Sequence, residues 1–237
     1  MSDVVEPPGG IGGGASGGDD PHAGQPVRTV GAPLRGARAA VVMVHGRGAS
    51  AEDILSLAPG LTLATGGVAF LAPQAAGGTW YPFGFMSPIA RNEPGISSGV
   101  RAIARVLSQV AAAGIPPERT MLLGFSQGAC LATEYAARHA RRYGGVAGLS
   151  GGLIGPDDTP RDYTGSLAGT PVFLGCSDVD GHIPAARVRE SAEVLRRLGG
   201  EVDMRLYPGM GHLVNEDEVA AVRAMLAGML AGMLGGD

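Results

Sequence analysis

From about residue 26 onward the chain alternates short, unbroken apolar runs with longer amphipathic stretches, and the two patterns predict different elements. The runs Ala40 to Val44, Val68 to Ala72, Thr120 to Phe125, Val146 to Leu149, Val172 to Leu174 and Val202 to Tyr207 are mostly apolar without a break. Such runs suit strands covered on both faces. Ser98 to Ala113 instead sets Val100, Ile103, Ala104, Leu107 and Val110 on one stripe, with Arg101, Arg105, Ser108 and Gln109 elsewhere, and Gly114 ends it. This is the pattern of an amphipathic helix. A second helix opens at Pro184, carries Val188, Ala192 and Leu195 on its apolar stripe, and stops at Gly199-Gly200. A last helix follows the cap Asn215 and the acidic turn Glu216, Asp217, Glu218, and its Gly228 and Gly232 are expected to pack closely on a neighbour. Strands alternating with helices predict an α/β fold, a central and mostly parallel sheet with helices on both faces.

The segment before this pattern, residues 1–25, is dominated by Gly, Pro, Ser and Asp, too apolar-poor to offset its ordering entropy. It is expected to be a flexible tail, with residues 26–237 forming one domain. Apolar residues make up 45% and charged residues 17% of the 237, which fits a globular chain with a sizeable core. All 18 basic residues are arginine and the net charge is -4, so no basic field for nucleic acid is implied. Cys130 and Cys176 belong to no CxxC or Cys/His cluster, so neither a disulfide framework nor a metal site is expected, and no cofactor. The start at Met1 lacks a secretory pattern, and the most apolar segment, Ala224 to Leu234, is about half the roughly 20 residues that span a bilayer. The expectation is a cytoplasmic chain without a membrane span.

Chemistry enters at Gly124-Phe125-Ser126-Gln127-Gly128, a G-x-S-x-G between a predicted strand and the helix-compatible stretch Ala129 to Arg138. That strand-turn-helix is the nucleophile elbow of the α/β-hydrolase fold. The sharp turn strains the serine backbone, exposes the hydroxyl, and aims helix N–H groups at the anion formed when a carbonyl is attacked. A serine hydroxyl needs a base, and in this fold an acid and then a histidine follow the nucleophile in sequence. His212, in the glycine-rich loop Pro208 to His212 after the last predicted strand, is the expected base; His182 reads as a pocket or surface residue. Asp178 and Asp180 both follow the strand Val172 to Leu174, and periodicity does not separate them. At the other end of the chain, a predicted strand runs into His45-Gly46-Arg47-Gly48. The backbone N–H groups of Arg47 and Gln127 are the expected oxyanion donors.

Together, Val44-His45-Gly46-Arg47-Gly48, Gly124-Phe125-Ser126-Gln127-Gly128, Asp180-Gly181-His182-Ile183-Pro184 and Gly211-His212 resemble the phospholipase/carboxylesterase family, which includes bacterial carboxylesterases and acyl-protein thioesterases. The resemblance runs from about Ala39 to the C-terminus. It implies Asp180, in a segment like the family's D-x-x-V-P, as the acid. Ser150-Gly151 resembles the family's S-G, and Trp80-Tyr81 its W-F or W-Y pair. Pro82 stands where thioesterase members often carry aspartate, a departure that weighs against protein deacylation. The aromatic segment Trp80 to Met86 is expected either to line the acyl pocket or to pack its loop on the sheet. In the first case Trp80, Tyr81 and Phe83 line the pocket with Ile183 and Met210, while Cys130 is expected to be an inert core thiol. The expected function is a serine hydrolase cleaving small carboxylic esters through an acyl-enzyme on Ser126, as a monomer or homodimer. An acyl thioesterase or lysophospholipase is the alternative, and a non-catalytic ligand-binding protein on the same scaffold the reading from another class.

Overall fold

Each of the six apolar runs forms a strand in the computed structural model, which describes residues 19–62 and 66–232. In chain order the elements are β1 (Val27–Gly31), β2 (Ala39–Val44), α1 (Ala51–Leu55), α2 (Ala58–Leu61), β3 (Val68–Pro73), α3 (Ile89–Asn92), α4 (Gly95–Ala112), β4 (Thr120–Phe125), α5 (Gln127–Arg138), β5 (Gly145–Leu149), β6 (Pro171–Ser177), α6 (Ala185–Arg197), β7 (Glu201–Tyr207) and α7 (Glu216–Ala231). The strands make one sheet in the order β1-β3-β2-β4-β5-β6-β7. All neighbours are parallel except β1, which pairs antiparallel with β3, Val27 opposite Pro73 and Gly31 opposite Ala69.

Side chains of a strand alternate between faces, and β2 shows why its run is unbroken. Ala40, Val42 and Val44 join the core under α4, α5 and α6, whereas Ala39, Val41 and Met43 join the core under α1, α2 and α7. Both faces are dry. Burial of each such Val or Leu stabilises by about 1.5–3 kcal/mol before entropy is counted. The apolar pattern gave no sign of β1, because most of its side chains are exposed and only Val27 packs on the core, while backbone pairing with β3 runs its whole length.

Four expectations need correction. Helix α4 begins at Gly95 rather than Ser98, and its buried face runs through Ile96, Ala102, Ile103, Val106, Leu107 and Val110, leaving Val100 and Ala104 only half-buried. The elbow helix starts at Gln127, directly after the serine. In α7 the capping box of Asn215 and Glu218 forms, but Gly228 faces open space, so the glycine pair packs on no neighbour among the described residues. The tail expectation fails at its end. Asp20 accepts hydrogen bonds from Arg101 Nε (3.2 Å) and Arg105 Nη1 (2.9 Å), and His22 is 3% exposed. Ion pairing and a buried imidazole dock a segment that composition alone reads as loose; residues 1–18 of that expectation lie outside the described residues.

Candidate active site

The site is built at the C-terminal ends of β2, β4, β6 and β7. Ser126 sits between β4 and α5 with φ 55° and ψ -122°, a conformation L-residues rarely hold. Its N–H donates to Leu149 O (2.9 Å) and its carbonyl accepts from Cys130 N–H (3.0 Å), so β5 and α5 hold the strain from both sides. The two flanking glycines are required sterically. A Cβ at Gly124 would lie 2.3 Å from Gly128 O, and one at Gly128 would lie 2.1 Å from Val44 O.

His212 Nε2 lies 2.8 Å from Ser126 Oγ, and its Nδ1 lies 2.7 Å from Asp180 Oδ2. Asp180 has a fully buried side chain, and its other oxygen accepts the N–H groups of His182 (2.8 Å) and Ile183 (3.1 Å). Burial alone would push the Asp180 carboxyl up, but the bonds from His212, His182 and Ile183 hold it below the usual carboxylate range. An ionised carboxylate only accepts, so the proton sits on Nδ1 and Nε2 faces Ser126 Oγ as an acceptor. Of the two carboxylates left open by periodicity, Asp180 is the one in contact with His212. Asp178 turns away and accepts Gly209 N–H (2.8 Å), while Ser177 Oγ accepts Gly211 N–H (3.1 Å). Those two residues pin the histidine loop, a supporting role the sequence reading did not assign. The loop needs its glycines, since Gly209 (φ 65°) and Gly211 (φ 81°) are both left-handed.

Gly46 brings the loop after β2 against the elbow: a Cβ there would touch Ser126 Cβ at 3.4 Å. Among the described residues, the N–H groups of Arg47 and Gln127 donate to no backbone or side-chain acceptor. Arg47 also lines the site, and its guanidinium donates to Pro82 O (2.7 Å) and Phe83 O (2.5 Å). A cavity of about 260 Å³ opens beside Ser126 and His212. Its walls include Tyr81, Phe85, Cys130, His182 and Ile183. Of the expected pocket residues, Tyr81 and Ile183 are there. Trp80 is not: its indole is fully buried beneath the loop and donates to His45 O (2.9 Å). Phe83 points to solvent under the Arg91 guanidinium, 4.2 Å from its ring, and Met210 turns its sulfur to Asn215 Nδ2 (2.8 Å). Phe85, from the aromatic segment Trp80 to Met86, is at the wall, whereas Cys130 was expected only in the core. Burial pushes the Cys130 thiol up to about 12, so it lines the cavity as an inert group.

Residues 26–230 match the sequence profile of the phospholipase/carboxylesterase family. The chain belongs to that family. Among relatives, it is 32% identical over 154 residues to acyl-protein thioesterase 1 of Gibberella zeae, covering 60% of this chain and 63% of that protein. It is 24% identical over 136 residues to a probable carboxylesterase of Oryza sativa subsp. japonica, covering 57% of this chain and 51% of that one. The chain thus spans less than two thirds of the length of these relatives. The crystal structure of a phospholipase/carboxylesterase from Dyadobacter fermentans aligns with TM-score 0.82 and 40% identity, over 86% of this chain and 96% of that one. The fold is that of the α/β-hydrolase esterases.

Within the family pattern, Ser150-Gly151 has a packing reason here: a Cβ at Gly151 would lie 2.4 Å from Ala129 Cβ, behind the elbow. Trp80-Tyr81 is divided between two tasks, the indole bracing the loop and Tyr81 reaching the cavity wall. Among the described residues no helix is long and apolar enough to cross a membrane.

Proposed function

We propose that this protein is a serine carboxylesterase that cleaves small carboxylic esters with short acyl groups through an acyl-enzyme on Ser126. The carrying observation is the continuous chain Ser126 Oγ, His212 Nε2, His212 Nδ1, Asp180 Oδ2, with both contacts under 3 Å and the cavity at its open end.

In this reading Ser126 Oγ attacks the ester carbonyl carbon as His212 Nε2 takes the hydroxyl proton. The carbonyl oxygen becomes an anion between the N–H groups of Arg47 and Gln127, the latter aided by the positive end of α5. His212 then gives its proton to the departing alcohol oxygen, leaving an ester on Ser126. Water enters, loses a proton to His212, attacks the acyl carbon, and the acid leaves as Ser126 recovers its proton. Asp180 keeps the imidazole oriented and stabilises its charged form throughout.

The cavity supports short acyl groups, since about 260 Å³ falls below the roughly 300–1,000 Å³ of clefts that hold drug-sized ligands. Thioester cleavage, named for one relative, is the alternative; Pro82 and the small cavity weigh against long-chain protein deacylation. A non-catalytic role is opposed by the complete set of nucleophile, base and acid. Two buried free thiols, Cys130 and Cys176, fit work in a reducing compartment, and we assign the cytoplasm. Wild type is expected to hydrolyse p-nitrophenyl butyrate and to react with a fluorophosphonate, and Ser126→Ala to do neither. Full activity in Ser126→Ala would refute the assignment.

A further inference from the structure

The loop from Ala75 to Tyr81 is held by two buried histidines. Ala75 N–H is accepted by His45 Nε2 (3.1 Å), and Ala76 N–H by His22 Nδ1 (3.1 Å). The second nitrogen of each ring donates to a carbonyl, His45 Nδ1 to Gly46 O (2.8 Å) and His22 Nε2 to Trp80 O (2.9 Å). A ring that accepts at one nitrogen and donates at the other is neutral, because imidazolium has no acceptor. Both rings lie 5.0 Å from the Trp80 ring system. Burial holds both imidazoles below their ordinary protonation range, which keeps them neutral near pH 7.

His22 reaches this position from outside the sheet. Its N–H donates to Ser98 Oγ (2.9 Å), its carbonyl accepts from Arg105 Nη2 (3.2 Å), and Asp20 pairs with Arg101 and Arg105. These groups of its own segment and of α4 are the charges nearest the ring; Glu52 and Asp53 of α1 act on His45. The clamped loop in turn touches both segments that carry the free N–H groups. Gly78 O accepts Gly48 N–H (2.8 Å), next to Arg47. Trp80 N–H donates to Gln127 Oε1 (2.9 Å), and Gln127 Nε2 donates to Tyr81 O (2.8 Å).

We propose that His22 is a positioning residue for the ester reaction: its neutral ring fixes the Ala75 to Tyr81 loop and, through it, the Arg47 and Gln127 N–H groups where the oxyanion forms. The proposal rests on the acyl-transfer reading above. An oxyanion exists only beyond the ground state, so a displaced donor lowers kcat and leaves substrate binding nearly unchanged.

The test measures kcat and KM of His22→Ala and His22→Asn on p-nitrophenyl butyrate, with competent sites counted by endpoint titration with a fluorophosphonate. Asparagine places its side-chain oxygen near the Nδ1 position and keeps an acceptor for Ala76. His22→Ala is expected to lower kcat per titrated site about tenfold with KM within about twofold, and His22→Asn to fall between it and wild type. Trp80, the chain's single tryptophan, should emit at longer wavelength in His22→Ala as its loop loosens, and less so in His22→Asn. A kcat per titrated site within about twofold of wild type in His22→Ala, a rise in KM alone, or equal losses in the two variants overturns the proposal. If His22→Ala does not fold, Asp20→Ala, which frees the same segment at its ion pairs and leaves the ring intact, is read by the same criteria. Failure of the acyl-transfer reading is separate: it would appear as Ser126→Ala retaining activity.

Discussion

Replacing Asp180 by asparagine tests the candidate site where its geometry is most constraining. Asp180 Oδ1 accepts two backbone N–H groups, from His182 and Ile183, while Oδ2 faces His212 Nδ1. In Asp180→Asn the carbonyl oxygen must stay against the two N–H donors, because the amide NH₂ there would oppose them both. The NH₂ therefore faces Nδ1 and donates to it, which forces the imidazole proton onto Nε2, opposite Ser126 Oγ. A histidine in that tautomer cannot accept the serine proton. The corresponding amide substitution in a serine protease triad lowers kcat about 10⁴-fold, or roughly 5 kcal/mol of barrier, and a loss of similar size is expected here. Asp178→Asn is the matched control. Its carbonyl can still accept Gly209 N–H, so kcat should stay within about threefold of wild type, a change worth under about 1 kcal/mol. Both variants are assayed on p-nitrophenyl butyrate near pH 8, with circular dichroism to confirm folding. A folded Asp180→Asn keeping more than about a tenth of wild-type kcat would refute the tautomer argument.

Three further outcomes follow from packing and burial. Gly128→Ala sets a Cβ 2.1 Å from Val44 O and should cost at least about 3 kcal/mol in urea unfolding, whereas Gly181→Ala, with open space around it, should change stability by under about 0.5 kcal/mol; similar losses in both would contradict the steric account. Glu218 is fully buried with one oxygen unpaired, and burial pushes its carboxyl up to about 7 against the bond from Asn215 N–H. Its folded pKa lies above its unfolded one, so the contribution is full below about pH 4.5 and is lost as pH rises through 7, by up to about 3 kcal/mol. Glu218→Gln should flatten that fall, and an unchanged pH slope would count against it. Finally, kcat/KM on p-nitrophenyl esters should peak at acetyl to butyryl and drop more than about tenfold by octanoyl, with Phe85→Ala moving the optimum to longer chains; a rise toward octanoyl would refute the preference for short acyl groups.

The sequence carries the site wherever a residue's role is local to its own turn. The elbow is legible because strand, tight glycine turn and helix adjoin in the chain, and their steric demand appears as Gly124 and Gly128. Strands β2 to β6 are legible because burial on both faces leaves unbroken apolar runs, whereas the edge strand β7 shows through the alternation of Val202, Met204 and Leu206 with charged residues, one side packed on the core. Strand β1 leaves no such trace, since its side chains beyond Val27 are exposed and its pairing with β3 uses backbone groups that any residue supplies. The same limit explains the pocket. Trp80 and Phe85 belong to one aromatic segment, and no pattern within it tells which ring braces the loop and which faces the cavity, because contacts with His45 and the elbow decide it. Which of Asp178 and Asp180 meets His212 is likewise decided by partners distant in the chain.

The segment before β1 marks the point where composition misleads. A stretch poor in apolar residues cannot fold by itself, but it can be ordered by a surface already built for it. Here α4 offers Arg101 and Arg105 to Asp20, and the loop before Tyr81 offers an unpaired N–H and an unpaired carbonyl to one imidazole. Were His22 absent, the N–H of Ala76 and the carbonyl of Trp80 would each lose the partner it has in the fold, at about 1–3 kcal/mol for every such group left buried. The loop would then move to reach water, carrying Gly78 and Tyr81 with it. Those two carbonyls accept Gly48 N–H, next to Arg47, and Gln127 Nε2, so under the proposed reaction the order of Asp20 and His22 and the placing of the Arg47 and Gln127 N–H groups are one mechanical problem.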